Sequence, residues 1–265
     1  MFSIVTSLYN LTDTHRDDNR NWEDYLSWFG KTLQVKCPFI IFTEKETVNF
    51  IKEKRGDLPT HIVTTKLNEI PLYKLKNNIQ TVLDSSEYKE KMSDTNRVEC
   101  KDSMYSIIQY SKFKWLKESL EINPFDSKYF FWLDAGASRF LDSSAYDESY
   151  PSKEALTQLN QIDNTFLIQY NPDYYSDLVN SRELTKEYLW DNRAFICGSM
   201  FGGNSEAILS INDEIDSTMN YMIENFCVNN EQIALGYLCK NKEKLFTRFY
   251  RTNPNQHLSL FQEMV

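Results

Sequence analysis

Three short stretches of this 265-residue sequence combine residue types that chemistry requires. The first is Phe131-Trp132-Leu133-Asp134-Ala135-Gly136. An acid that closes an apolar, strand-forming run sits where open α/β sheets bind ligands, and Ala135 and Gly136 leave room beside it. Asp134 there can hold a divalent cation, which takes hard oxygen ligands, or accept hydrogen bonds from a ribose. The second stretch is Cys197-Gly198-Ser199-Met200-Phe201-Gly202-Gly203-Asn204. Its flexible backbone runs into a predicted helix start and can present N–H groups to an anion or an acceptor hydroxyl. A plain strand–turn–helix accounts for it equally well. The third is Asn229-Asn230-Glu231-Gln232. A carboxylate and an amide at a helix start can serve a substrate hydroxyl, with Glu231 as general base. An ordinary first-turn acid, favoured by the helix dipole, would look the same.

Glycine is scarce, with 7 residues, and four of them fall in these stretches at 136, 198, 202 and 203. Glycine is needed where φ is positive or where a ligand approaches the backbone. Lys112 lies among apolar neighbours on the helix that precedes the Asp134 strand. It can reach a diphosphate or snorkel to the surface. Of His15, His61 and His257, the last can complete a metal site from a folded-back tail, or simply face solvent. The GxSxG elbow, HExxH, the kinase set and the dinucleotide fingerprint are all missing, which counts against hydrolases, proteases, kinases and Rossmann dehydrogenases.

These residues need a scaffold, and the hydrophobic pattern supplies one. Phe2–Leu8, Pro38–Thr43 and His61–Thr65 read as short strands. Trp22–Leu33 and Thr47–Lys54 read as helices between them. Strand and helix in alternation predict a parallel sheet covered by helices. Residues 66–100 are polar and irregular, with helical potential at Leu75–Leu83 and a mobile loop expected over 84–100. Ser103–Leu120 reads as a helix, and Tyr129–Asp134, Phe166–Tyr170 and Ala194–Phe201 as strands. Asn204 is placed to cap a helix striped by Ile208, Ile211, Ile215, Met219 and Met222. A last helix is expected over Asn230–Cys239 and an extended piece over Leu245–Tyr250. No linker interrupts the chain, so one domain over 1–265 is expected, with a more elaborate C-terminal half.

Composition narrows the function classes. A net charge of −9 without a basic block argues against nucleic-acid partners. The five cysteines contain no CxxC pair, which argues against a disulfide framework or a zinc site and suits a reducing cytoplasm. The first residues do not read as a signal peptide, and no run is apolar enough to span a membrane; peripheral contact stays open.

Taken in order, the pieces resemble a known family. They are Ile4-Val5-Thr6-Ser7, Tyr25-Leu26-Ser27-Trp28-Phe29, Pro38–Thr43, Tyr110-Ser111-Lys112-Phe113, Trp132-Leu133-Asp134-Ala135-Gly136, Gly202-Gly203 and Glu231-Gln232. This series resembles the HtrL/YibB-like bacterial proteins, which sit with the GT-A class of nucleotide-sugar glycosyltransferases. The resemblance implies a GT-A-like (Rossmann-like) α/β fold, with a mostly parallel central sheet flanked by helices. It implies a nucleotide-sugar-binding half at 1–136 and an acceptor-side half at 137–265. Thr6, Ser7, Leu8 and Tyr9 would line the nucleotide pocket with Lys112, Asp134, Ala135 and Gly136. Asp134 would match the first acid of a DxD metal motif and hold Mn²⁺ or Mg²⁺, although Gly136 replaces the second. Gly202, Gly203, Ser199 and Gln232 would shape the acceptor side. Glu231 would be the base of an inverting reaction or a sugar-orienting carboxylate in a retaining one. An arginine such as Arg20 or Arg193 could add positive charge for the leaving diphosphate.

The function expected is therefore sugar transfer from a nucleoside-diphosphate donor to a glycan or lipid-linked glycan, as in polysaccharide biosynthesis. Two alternatives are a noncatalytic carbohydrate-binding protein on the same fold and a nucleotidyltransferase. The latter usually carries a glycine-rich loop after the first strand, where this chain has Leu8-Tyr9-Asn10.

Overall fold

The computed structural model describes residues 2–11, 20–141, 143–147, 150–174, 177 and 184–249. Strand β1 (Phe2–Leu8) is followed by α1 (Trp22–Thr32), β2 (Phe39–Thr43), α2 (Val48–Arg55) and β3 (Thr60–Thr64). The three strands pair in parallel, Ile4 beside Phe39 and Phe39 beside Thr60. Helix α1 starts where Asn21 accepts from the Asp24 N–H and Asp24 accepts in return from Asn21, a capping box that satisfies otherwise orphaned donors. Helix α2 ends where Gly56 takes a positive φ of 53°.

Helices α3 (Lys76–Asp84), α4 (Ser86–Lys91) and α5 (Ser103–Ile122) lead to β4 (Tyr129–Leu133), which pairs with β1 on the side away from β2. Then come α6 (Lys153–Leu159), β5 (Phe166–Gln169), β6 (Met200–Asn204), α7 (Ser205–Glu224), α8 (Glu231–Asn241) and β7 (Phe246–Phe249). The sheet order is β3-β2-β1-β4-β6-β5-β7. Strand β6 runs antiparallel to both β4 and β5, while β5 and β7 are parallel. The expected mostly parallel sheet flanked by helices is thus present, with one reversed strand inside it. Among the described residues no helix is long and apolar enough to cross a membrane.

Period-two alternation divides the strands between two cores, because successive side chains leave a strand on opposite faces. On β2, Ile40 and Phe42 join the core shared with α3, α5, α7 and α8, whereas Phe39 and Ile41 join the one shared with α1, α2 and α6. The first core holds a stack of rings, Tyr9 on Trp115 at 5.6 Å and Trp115 on Trp132 at 5.9 Å. Truncating a buried aromatic in such a core costs about 3–5 kcal/mol. The α7 stripe is buried as its spacing predicts, and Asn204 caps the helix by accepting from the Ala207 N–H.

Two expectations are corrected. Residues 84–100 are not simply an irregular loop, because α4 forms there and seats the wholly buried Tyr88 in the core. Within Ala194–Phe201 the strand is displaced: β6 covers Met200–Asn204, with an isolated bridge between Tyr170 and Ile196 upstream. Gly202 and Gly203 therefore lie inside a strand and not in a turn. A Cβ on Gly202 would lie 2.1 Å from the Phe130 carbonyl oxygen, so the glycine is what lets β6 lie against β4.

Candidate functional site

From β1 the chain steps to β2 on one side, and β4 occupies the other side of β1. Their parallel carboxyl ends open a crevice where such sheets bind ligands. A cleft of about 990 Å³, counted to its open mouth, lies there, a size suited to a small organic ligand. Ser7 and Leu8 line it from β1 with Tyr9 just beyond, and Trp132 from β4 with Asp134, Ala135 and Gly136 just beyond. Lys112 enters from α5, Glu231 and Gln232 from the start of α8, and Asn21, Trp22 and Tyr25 from the start of α1.

Lys112 organises the floor. Its ammonium lies 2.9 Å from Asp134 Oδ1 and 2.6 Å from Glu231 Oε1, and it donates to the Gly198 carbonyl at 3.1 Å. An ammonium has three N–H donors, and these three oxygens take them all. Lys112 lines the cleft, and its donors are engaged within the protein. Burial works against its charge, but Asp134 and then Glu231 outweigh that and hold its pKa above the usual lysine value.

The two carboxylates differ in exposure. Glu231 is fully buried, and its Oε2 has no hydrogen-bond partner among the described residues. Burial, reinforced by Asp134, pushes its pKa up against the pull of Lys112. The Asp134 side chain is 37% exposed. Its Oδ1 accepts from Lys112 and also from the Trp132 indole N–H at 2.6 Å. The Asp134 N–H donates to the Ser199 carbonyl at 2.9 Å, which fixes the strand end from which the carboxylate projects. Asp134 is thus presented to the cleft, while Glu231 supports from beneath. Gln109 adds a second buried, unpartnered acceptor to the cleft through its Oε1. Buried polar atoms are usually bonded, so such orphans mark places a ligand or water can complete.

Arg20 and Arg139 line the same cleft, and both are exposed. Arg139 lies 4.4 Å from the centre of the Trp28 ring and donates from Nε to the Gly136 carbonyl at 3.0 Å. Partial burial and then the neighbouring Arg20 lower its pKa. A Cβ at position 136 would lie 3.1 Å from the Arg139 guanidinium, so Gly136 makes the seat for that side chain. The sequence reading missed Arg139 and Gln109; the signal for the first is its place three residues beyond the Asp134-Ala135-Gly136 motif.

Mn²⁺ or Mg²⁺ would need several oxygen ligands. No group of three or more His, Cys, Asp and Glu fit to hold a metal exists among the described residues. Asp134 Oδ1 already carries an ammonium, and position 136 offers no side chain. Among the described residues, Asp134 is the one expected ligand at this site, fewer than a divalent cation takes. His257 lies outside the described residues.

The remaining expected residues separate from the cleft. Thr6 is wholly buried one residue short of the lining. Ser199 contributes its carbonyl to Asp134, and Gly202 and Gly203 serve the sheet, so only Gln232 of the expected acceptor-side group lines the cleft. Arg193 pairs with Asp191 and Asp177 and is not part of the lining.

Residues 2–261 match the model of the HtrL_YibB family, described as bacterial protein of unknown function, and the chain belongs to that family. No curated protein matches it. Mouse xyloside xylosyltransferase 1 in its apo form is a similar solved structure, with a TM-score of 0.45 and 8% identity over 93% of this chain and 84% of that one. The 4-diphosphocytidyl-2C-methyl-D-erythritol synthase of Anaerococcus prevotii is another, with a TM-score of 0.39 and 8% identity over 99% of this chain and 94% of that one.

Proposed function

We propose that this member of the HtrL_YibB family is a GT-A-like glycosyltransferase, moving a sugar from a nucleoside-diphosphate donor to a glycan or lipid-linked glycan. One observation carries the reading. The cleft outside β1 and β4 is lined by a partly exposed carboxylate, held by a buried ammonium, and by two arginines. Sugar transfer needs both parts. The anomeric carbon gains positive character as its bond to the diphosphate oxygen breaks, and a carboxylate nearby stabilises it. The departing diphosphate gains negative charge, which fixed cations stabilise. As that bond breaks, the acceptor oxygen bonds to the carbon and its proton passes to the departing diphosphate.

In this scheme Asp134 is the catalytic carboxylate that contacts the sugar, because it has exposed surface. Lys112 and the Trp132 indole N–H hold it in place. Glu231 is a positioning residue acting through Lys112, and Gln232 and Gln109 offer amides to sugar hydroxyls.

The test is a panel of nucleotide sugars scored by nucleoside-diphosphate release, for wild type and Asp134→Asn. Release from one donor, reduced about 100-fold or more in the variant, is the expected result. Neither release nor binding of any donor would overturn the reading.

A further inference from the structure

A diphosphate brings two or more negative charges into a protein that is already net acidic, so positive charge must meet it. Two arrangements could supply that charge: a divalent cation on carboxylates, or side-chain cations. This chain's own residues choose between them at both relevant positions.

At Asp134, Oδ1 accepts from Lys112 at 2.9 Å and from the Trp132 indole N–H. The ammonium is enclosed by three oxygens, with Glu231 and Gly198 completing the set. That cage of two carboxylates and a carbonyl has the donor set a cation site would offer, and a tethered cation fills it. At position 136, two residues on, there is no carboxylate at all. The space a side chain would enter is taken by the Arg139 guanidinium, 3.1 Å from where a Cβ would lie. That guanidinium is not loosely placed. The Gly136 carbonyl holds it from Nε and the Trp28 ring backs it, while Arg20 shares the cleft wall. A planar guanidinium fixed in this way suits paired phosphate oxygens, which it can meet with two parallel N–H bonds.

We propose that Arg139 and Arg20 hold the diphosphate of the nucleotide directly and that its binding requires no divalent cation, the places for one being filled by Lys112 and by Arg139 itself. The proposal deepens the glycosyltransferase reading and rests on it for the nucleotide, though not for the diphosphate.

Calorimetric titration in the presence of a chelator tests it, with UDP, GDP, CDP, ADP and inorganic pyrophosphate as probes. Wild type is expected to bind pyrophosphate and at least one nucleotide without metal. Added Mn²⁺ should change the affinity by less than about twofold. Arg139→Ala should weaken both ligands about tenfold or more, since hydrogen bonds to charged groups are among the strong ones. Arg139→Lys should recover only part of that, because an ammonium lacks the planar fork. Arg193→Ala, which alters an exposed arginine outside the cleft, should bind as wild type does. Gly136→Asp should also weaken binding in chelator, by pushing the guanidinium off its seat.

Binding that appears only with Mn²⁺, or that Arg139→Ala leaves unchanged, would overturn the proposal. Metal-free binding of pyrophosphate that depends on Arg139, with no nucleotide bound, would uphold the anion site and sink the nucleotide-sugar reading. Binding of no probe in either condition would overturn both.

Discussion

Arg55 and Lys112 are both buried cations with every donor used, yet they are used differently. Arg55, at the β2–β3 side of the sheet, donates to the carbonyls of Leu33, Val35, Cys37 and Pro59 and to the Thr60 hydroxyl. Five donors meet five neutral oxygens. Burial lowers its pKa to about 10, and it ties the end of α1 to the start of β2 and β3. Lys112 meets one carbonyl and two carboxylates. A cation among neutral carbonyls is a fastener. A cation opposed by two acids leaves surplus negative charge beside an opening, and folding alone gives no reason for that arrangement. Such charge imbalance in a cleft is characteristic of functional sites.

The sharpest way to break this contrast is to remove each cation. Lys112→Met strands Glu231 and Asp134 without a counter-ion, and a broken buried pair costs about 3–5 kcal/mol. Urea unfolding at neutral pH should show that loss, together with loss of donor binding. Adding Glu231→Gln should restore much of the stability, because the fully buried one of the two stranded charges disappears. A double variant no more stable than Lys112→Met would remove the charge argument.

Arg55→Met should cost about 2–4 kcal/mol, since several buried carbonyls lose their donor. It should leave ligand affinity unchanged once the protein is folded. A change in affinity would show that the two regions are coupled and not separate in role.

The smallest effect is in pH dependence. A carboxyl whose pKa is raised on folding binds its proton more tightly in the native state. Its contribution to stability is therefore favourable at low pH and falls as pH rises from the ordinary glutamate value, about 4.3, through the raised one. Glu231 is raised by burial, so wild type should lose stability across that window relative to Glu231→Gln. Thermal melts of the two proteins at a series of pH values would compare the slopes. Parallel slopes would mean that Glu231 is not perturbed as its burial implies. The Lys112 contribution has the same sign, because its pKa is also raised on folding: it persists through neutral pH and is lost only above the ordinary lysine range, near 10.4.

Much of this was legible in the residues. The alternation of Phe39-Ile40-Ile41-Phe42 and the apolar run ending in Asp134 fixed the strands and the place of the cleft, because burial and register follow from pattern. Lys112 stood out as a charge among apolar neighbours. Its partners did not, since Gly198 and Glu231 are 86 and 119 residues away and only the fold brings them together. Gly202 and Gly203 looked like a turn because a glycine tolerated for close strand approach and one required for a turn are the same letter. The short helix at Ser86–Lys91 was hidden by its polar surface, with Tyr88 as its single deeply buried anchor. Arg139 was hidden because its meaning depends on the absent side chain at 136.

The ring stack beneath the cleft has an optical consequence. Trp115 and Trp132 lie nearly face to face, at an interplanar angle of 12°, and the Trp132 indole N–H is bonded to Asp134. Their electronic transitions are coupled in a fixed chiral arrangement, and one of the two chromophores is wired to the carboxylate presented to the cleft. The protein therefore carries its own label: the near-ultraviolet circular dichroism of the coupled pair responds when the Trp132–Asp134 contact changes, with no dye and no knowledge of the acceptor.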